Sequence, residues 1–548
     1  MKRSPVSAAA SMILFCAALA LGACERQEPG PPAPVAPVTP DTATAEPVTA
    51  AKAAPDLAAL HADVPGIAWF DGSVEAALDA SRAANKPLML FWGAQWCPSC
   101  KQLKASVFTR PDFVEKSKLF VPVYLDGDLP DAQKWGDTFE ITGYPTLLIL
   151  KPDRTEVTRL AGGMDLTLYA QVLDSALGDV RPVREIVDLA ADGKELLAAD
   201  DCRRLAYHAF GLEDDAVFAA SRLASAFEGA AARCPANLVR ERARFTILAA
   251  GAVGTMESAA AAGGNPHAVA AAATPAPSVR YQQLIGAVHA LLTDRETALA
   301  NLDALAGLGS GFFAAARVAT PELTRTLGDR WTALADAAAI DPRYSPGDQL
   351  NAERMKVAAA RGLSADGTVP TAIAGAALKR SDEMLASEHT PYDRAGIIVT
   401  ALDLYLDLND QTRMRALLEQ EVATSKTPYY YLAHLAEVEE LAGNKARAVE
   451  LLAQAYDGAR GPASRFQWGY NYVNGLLRMQ PENAAVIERA GLKVFGELAG
   501  ADSIHRRTRI RLEKLEAALG RWNTTPERAA VVAKLNETLV ATKSRGAS

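Results

Sequence analysis

Cys97 and Cys100, in the run Trp96-Cys97-Pro98-Ser99-Cys100, are the residues of this sequence best spaced to do chemistry. Two cysteines separated by two residues close a small disulfide ring or open to a dithiol. Zinc is a competing use of the spacing, but it requires four ligands. No second cysteine pair stands at such spacing, and the seven histidines are scattered, so no metal site is expected. The flanks bear on the remaining choice, between a structural and a reactive disulfide. Leu88 to Trp92 is an apolar run that reads as a buried strand. Downstream, Leu103, Val107 and Phe108 fall on one face of a helical pattern. Cys97 therefore sits where a strand hands over to a helix start, and Pro98 suits the first helical position. Free amides and the helix dipole at that end favour a thiolate. With Lys101 and Lys104 nearby, Cys97 is expected to be an exposed, low-pKa nucleophile. Cys100, one turn deeper, is expected to resolve the mixed disulfide.

A second stretch, Gly143-Tyr144-Pro145-Thr146, leads into the apolar run Leu147 to Leu150. Together with the cysteine motif it resembles the thioredoxin superfamily. That fold carries a cis proline before a strand, packed against the disulfide, and Pro145 matches the position. Only an X–Pro bond takes the cis form cheaply; the alternative is an ordinary trans proline opening a strand. The wording from Lys86-Pro87 through Phe108 and Asp112-Phe113-Val114 is most similar to the periplasmic reductase domain of the Dsb system. The resemblance implies that Tyr144, Pro145 and Thr146 hold a client strand and that Trp96 shields the disulfide. Two departures stand out. The superfamily usually places a buried acid six residues before the first cysteine, and here that residue is Phe91. Proton handling then falls to water or to a nearby acid such as Asp126 or Asp128. Pro98 in the first slot between the cysteines resembles the more oxidising members, which implies a potential of roughly −240 to −170 mV.

The remaining elements follow in order. Lys2, Arg3 and the apolar run Ala8 to Leu21 read as a targeting segment over residues 1–23, too short to span a bilayer comfortably. Leu21-Gly22-Ala23-Cys24 resembles a bacterial lipobox, which implies a lipidated Cys24; an ordinary signal peptide cut nearby is the alternative. Glu25 after that cysteine weakly favours the outer membrane. Residues 24–56, rich in Pro, Ala, Thr and Val, read as a tether, of which Glu25 to Pro55 reaches about 95 Å if fully polyproline II. Residues 57–179 read as the α/β thioredoxin-like domain. Within it, strands are expected at Ile67 to Phe70, Leu88, Leu119 to Leu125, Leu147 to Leu150 and Glu156 to Leu160. Helices are expected from Ser73 to Ala84, Asp131 to Phe139 and Asp165 to Leu177.

Residues 180–548 change character: alanine and leucine dominate, strand patterns vanish, and short helical patterns alternate with Gly, Asn, Asp and Pro. This reads as an all-α helical-hairpin array. The unit from Tyr429 to about Pro462 resembles a tetratricopeptide repeat, with Leu432, Leu435, Ala436, Ala448, Leu452 and Ala455 inward and a turn at Gly443-Asn444. Leu284 to Ala306 is a weaker copy, and residues 257–278 read as a divider. The aromatic group Tyr429, Tyr430, Tyr431, Phe466, Trp468, Tyr470 and Tyr472 reads as interhelical core ahead of a peptide groove. His505, Arg506, Arg507, Arg509, Arg511 and Lys514 read as a solvated helix face. Cys202 and Cys234 are expected to form a structural disulfide, with a second redox pair as the sharper alternative.

The net charge of −8 without long acidic runs argues against nucleic acid as a partner. The expected function is a membrane-anchored periplasmic thiol–disulfide oxidoreductase, most simply a reductase of envelope clients. Its partners would be client thiols and disulfides, an upstream thiol electron donor, and the membrane through Cys24. It would need no cofactor beyond its own disulfide. The alternative is a helical-repeat scaffold or client-recognition protein with an accessory thioredoxin-like domain.

Overall fold

The computed structural model describes residues 66–161, 172–174, 177, 180–193, 195–210, 218–261, 276–498 and 503–545. The expected leader, Cys24, the tether and most of the helix from Asp165 lie outside the described residues.

Four strands, β1 (Leu88–Gly93), β2 (Val121–Asp126), β3 (Thr146–Leu150) and β4 (Glu156–Ala161), form one sheet in the order β2-β1-β3-β4. β1 runs parallel to β2 and antiparallel to β3, and β3 and β4 form an antiparallel hairpin. Four helices accompany them: α1 (Val74–Ala84), α2 (Pro98–Leu103), α3 (Pro111–Ser117) and α4 (Pro130–Thr138). A single π-helical turn, Lys104–Phe108, continues α2. The Ser73 hydroxyl accepts from the Ala76 amide at 3.2 Å and caps α1, which ends where Asn85 turns left-handed.

β1 and β3 are buried along their whole length, as strands covered on both faces must be. The side chains alternate between two cores. Leu88, Leu90, Trp92, Leu148 and Leu150 pack with Val74 and Leu78 of α1 and Ala132 and Trp135 of α4. Met89, Phe91, Leu147 and Ile149 point the other way, onto Leu103, Val107 and Phe108. That second core does not stop at the sheet. It continues without a break into Val183, Ile186, Val187, Phe227 and Phe245 of the helices that follow. The expected first strand is absent: the Trp69 amide bonds back to the Ile67 carbonyl at 2.9 Å, so the segment turns, and only the Phe70 amide reaches β2, at Pro122.

Among the described residues no strand follows Ala161. The helical pair Pro428–Leu441 and Lys445–Gly458 turns at Gly443, whose φ of +81° suits glycine. Leu432, Leu435, Ala436, Ala448, Leu452 and Ala455 are all buried in it. The weaker unit is broken into Val279–Leu291, Arg295–Leu299 and Leu302–Ala306. Asn301 marks the second break, its amide donating to the Arg240 and Thr297 carbonyls. The expected divider begins later than its composition suggests, because the helix Val239–Ala261 runs into it; residues 262–275 lie outside the described residues. No helix among the described residues is long and apolar enough to cross a membrane.

Candidate active site

The register of the sheet explains why distant parts of the sequence meet. Trp92 pairs with Thr146 and Gly93 with Asp126, so the end of β1, the start of β3 and the end of β2 lie side by side. The cysteine motif leaves the first of these ends, Pro145 enters the second, and Asp126 and Asp128 leave the third.

Cys97 is the N-cap of α2, with Pro98 at the first helical position. Its Sγ accepts from the Cys100 amide at 3.2 Å. The two cysteines are disulfide-bonded, with Cα atoms 5.3 Å apart. The Tyr144–Pro145 bond is cis, and the Tyr144 carbonyl oxygen lies 3.8 Å from Cys97 Sγ. The Thr146 hydroxyl donates to the Gly143 carbonyl at 2.9 Å, tying down the turn that presents the proline.

Phe91 is fully buried in an aromatic group with Trp69, Phe108 and Tyr124, its centroid 4.9 Å from that of Phe108. A carboxylate there would be surrounded by rings. The nearest buried acid sits instead at the end of β2. Asp126 is 1% exposed, and burial pushes its carboxyl up to about 7 against the hydrogen bond from the Asp128 amide and the charge of Lys104. Lys104, one turn beyond Cys100, is itself buried, with Nζ 3.3 Å from the Tyr124 hydroxyl. Asp128 is engaged elsewhere, as follows.

The expectation of an exposed Cys97 is not met: Cys97 is 5% exposed and Cys100 is 0%. The helical array lies over the motif. Trp96 Nε1 donates to the Ser464 hydroxyl at 2.8 Å. The Trp96 ring stacks on Tyr430 and meets Tyr144 and Trp468 edge-on, with centroids 6.0 to 6.3 Å away. Asp128 accepts from both the Ser464 amide and the Ser464 hydroxyl at 2.7 Å. Burial raises the Asp128 carboxyl, with these hydrogen bonds and the Arg507 charge opposing it. Gly461 allows the approach: its φ is +81°, and a Cβ there would fall on the Asp128 carboxyl group. Lys101 reaches Thr427 at 3.5 Å.

Two array helices take their N-terminal caps from the other side of this seam. Pro462–Met479 and Arg506–Trp522 have no side-chain cap of their own at Gly461 and His505. Asp128 accepts the Ser464 amide of the first, and Asp137 accepts the Arg506 amide of the second at 2.7 Å. The His505 ring contacts the same Asp137 carboxylate at 3.1 Å. A carboxylate cap is worth about 0.5–2 kcal/mol to a helix. The expected solvated basic face is thus in part an interface, with Arg507 lying 4.3 Å over the Tyr144 ring. One cavity between the two sides, lined by Trp96, Asp128, Tyr144, Ser464 and Arg507, is about 10 Å³, room for no more than one water.

The sequence missed this seam because caps supplied from 336 and 369 residues away leave no local pattern. The missing caps at Gly461 and His505 are the one signal that was readable. The aromatic group divides as follows: Tyr429, Tyr431, Phe466 and Trp468 are buried, and Tyr430, Tyr470 and Tyr472 are half-buried. Cys202 and Cys234 form a disulfide with Cα atoms 6.0 Å apart, buried in the core that joins the sheet to the first array helices.

A family model described as a thioredoxin-like domain matches residues 74–177. A thiol:disulfide interchange protein DsbD from Pseudomonas fluorescens strain Pf-5 is 30% identical over 102 residues, 18% of this chain and 18% of that protein. DsbD 1 of Pseudomonas aeruginosa PAO1 is 30% identical over 107 residues, 19% of this chain and 18% of that protein. The chain thus spans under a fifth of the length of these curated relatives. A solved structure named DsbH oxidoreductase is 20% identical, covers 26% of this chain and 94% of that one, and has a TM-score of 0.18. Residues 74–177 form a thioredoxin-like domain similar to part of these DsbD relatives, and a mostly helical region follows it.

Proposed function

We propose that this Dsb-type thioredoxin-like domain makes the chain a thiol–disulfide oxidoreductase that reduces disulfides of envelope client proteins. One observation carries the reading: Cys97 caps a helix start, receives the Cys100 amide, and lies 3.8 Å from the carbonyl that precedes cis Pro145. An amide aimed at the sulfur favours its thiolate over its thiol. In the reduced form the Cys97 thiolate attacks one sulfur of a client disulfide. A Cys97–client disulfide forms, and the second client sulfur leaves as a thiolate. Cys100, once deprotonated, then attacks Cys97 Sγ, which closes the Cys97–Cys100 disulfide and frees the first client sulfur. The client gains two electrons and the motif loses two, so an upstream thiol donor must restore the dithiol. Tyr144, Pro145 and Thr146 would hold the client strand, and Asp126 is the buried acid best suited to take the Cys100 proton.

The location we propose is the periplasm, with the chain tethered through lipid on Cys24. The lipobox-like Leu21-Gly22-Ala23-Cys24 and the Dsb-type relatives support it. Cys202–Cys234 is proposed to be structural.

Insulin reduction by the full chain with a dithiol donor tests the activity. Cys97→Ser is expected to abolish turnover, and Cys100→Ser to accumulate a mixed disulfide. Turnover unchanged in Cys97→Ser would refute the assignment.

A further inference from the structure

We propose that the helical array is a gate over the redox motif, held shut by the seam at Ser464, Trp96 and Asp137, and that clients reach Cys97 only when this seam opens. The inference rests on the oxidoreductase reading for its purpose, though not for its geometry.

Three features of the seam carry it. First, it covers what a client must touch. Cys97 is 5% exposed and Pro145 is buried. In-line attack on a client disulfide needs one of its sulfurs against Cys97 Sγ and the other directly behind it. At 5% exposure Cys97 offers little surface for that approach.

Second, much of the seam is polar. Its polar contacts among the described residues include Asp128 with Ser464, Trp96 with Ser464, Asp137 with His505 and Arg506, Lys101 with Thr427, and Arg507 with the Tyr144 ring. The apolar core of the array, from Leu350 to Leu539, includes no buried residue of the thioredoxin-like domain. Half-buried Trp96 packs against that core beside Tyr430 and Trp468, and the helix Pro391–Asp407 lies against α2, with Gly396 next to Gln102. Each of the polar groups finds water when the seam parts, and the apolar surface exposed is centred on these rings.

Third, the seam is built from helix ends. The array presents the uncapped starts of Pro462–Met479 and Arg506–Trp522 to carboxylates of the other side. Water can replace such caps at modest cost, whereas burying them without a partner is costly. Docking and release are therefore both accessible to one folded array.

The test uses the full chain with Cys97 and Cys100 reduced. Iodoacetamide labelling of Cys97 is followed by peptide mapping across pH, and the high-pH plateau is compared, so that a change in thiol pKa does not register as a change in access. Ser464→Ala removes the hydroxyl shared by Asp128 and Trp96. Asp137→Ala removes the second cap at the far end of α4, away from the sulfurs. The parent plateau is expected to lie at least tenfold below that of a chain unfolded in urea. Each variant is expected to raise the plateau severalfold, and the double variant further, with the melting transition retained. A parent plateau equal to that of the unfolded chain would overturn the gate. So would a slow plateau that neither folded variant raises. Insulin reduction is measured in parallel. Variants that label faster but never reduce insulin would leave the gate standing and refute the oxidoreductase reading.

Discussion

The helical region meets the thioredoxin-like domain on two sides, and the two contacts are built from different materials. On the sheet side, Met89, Phe91, Leu147 and Ile149 share one apolar core with Val183, Ile186, Phe227 and Phe245, and the Cys202–Cys234 disulfide lies within it. On the motif side, carboxylates, a serine, two helix starts and an indole meet across a seam, with the helix Pro391–Asp407 packed on α2. The first contact cannot part without exposing apolar surface at about 25 cal/mol per Å². The second exchanges protein hydrogen bonds for water, at a net cost near 1 kcal/mol each. In the proposed gate, the first contact holds the molecule together and the second opens.

The contrast is broken most severely by Phe91→Asp. It places a carboxylate among Trp69, Phe108 and Tyr124, and removes a fully buried ring. A loss of at least about 3–5 kcal/mol in denaturant unfolding is expected. A smaller loss would mean that the aromatic group tolerates the acid usual in the superfamily. Next, Cys202→Ser with Cys234→Ser opens a loop with a sequence separation of 32. The expected loss is about 3–4 kcal/mol, with insulin reduction per folded molecule unchanged. Abolished turnover in a chain that still folds would instead make this pair part of the electron path.

Asp126 gives a pH test. Its carboxyl is raised to about 7 by burial, so at intermediate pH the folded chain holds a proton that the unfolded chain has released. Its contribution to stability is full below about pH 4 and is lost as pH climbs toward 7. Asp126→Asn abolishes that loss, so the variant should gain on the parent above pH 7, by roughly 2–4 kcal/mol. A gap between the two chains that does not vary from pH 4 to pH 8 would contradict the assignment. The smallest effect belongs to the seam: Asp137→Asn should change global stability by less than about 1 kcal/mol. A larger loss would mean that this contact is structural after all.

Much of the thioredoxin-like domain was legible because its signals are local. Ser73 caps a helix, Lys151 to Arg154 turn a hairpin, and a C-x-x-C follows an apolar strand. The same holds for the helical pair from Tyr429, where small and large residues alternate at helical spacing. What was not legible depends on distance. Tyr430 and Trp468 have the composition of core residues, yet both lie against Trp96 of the other domain. Arg507 looks like part of a solvated stripe until Tyr144 lies beneath it. Cys97 is buried among Ala94, Cys100, Trp96 and Tyr144, and Trp96 and Tyr144 are themselves held by Ser464 and Arg507 of the array.

Native-state hydrogen exchange tests the difference between the two contacts most directly. The Ser464 and Arg506 amides donate across the seam to Asp128 and Asp137. Amides inside Val183–Asp192 and Ala220–Arg233 belong to helices on the sheet side. The seam amides are expected to exchange through a local opening well below the global unfolding free energy, with little dependence on denaturant, and the sheet-side amides only near global unfolding. A single free energy and a single denaturant slope for both sets would show that the seam opens only when the whole molecule unfolds, and would contradict the account.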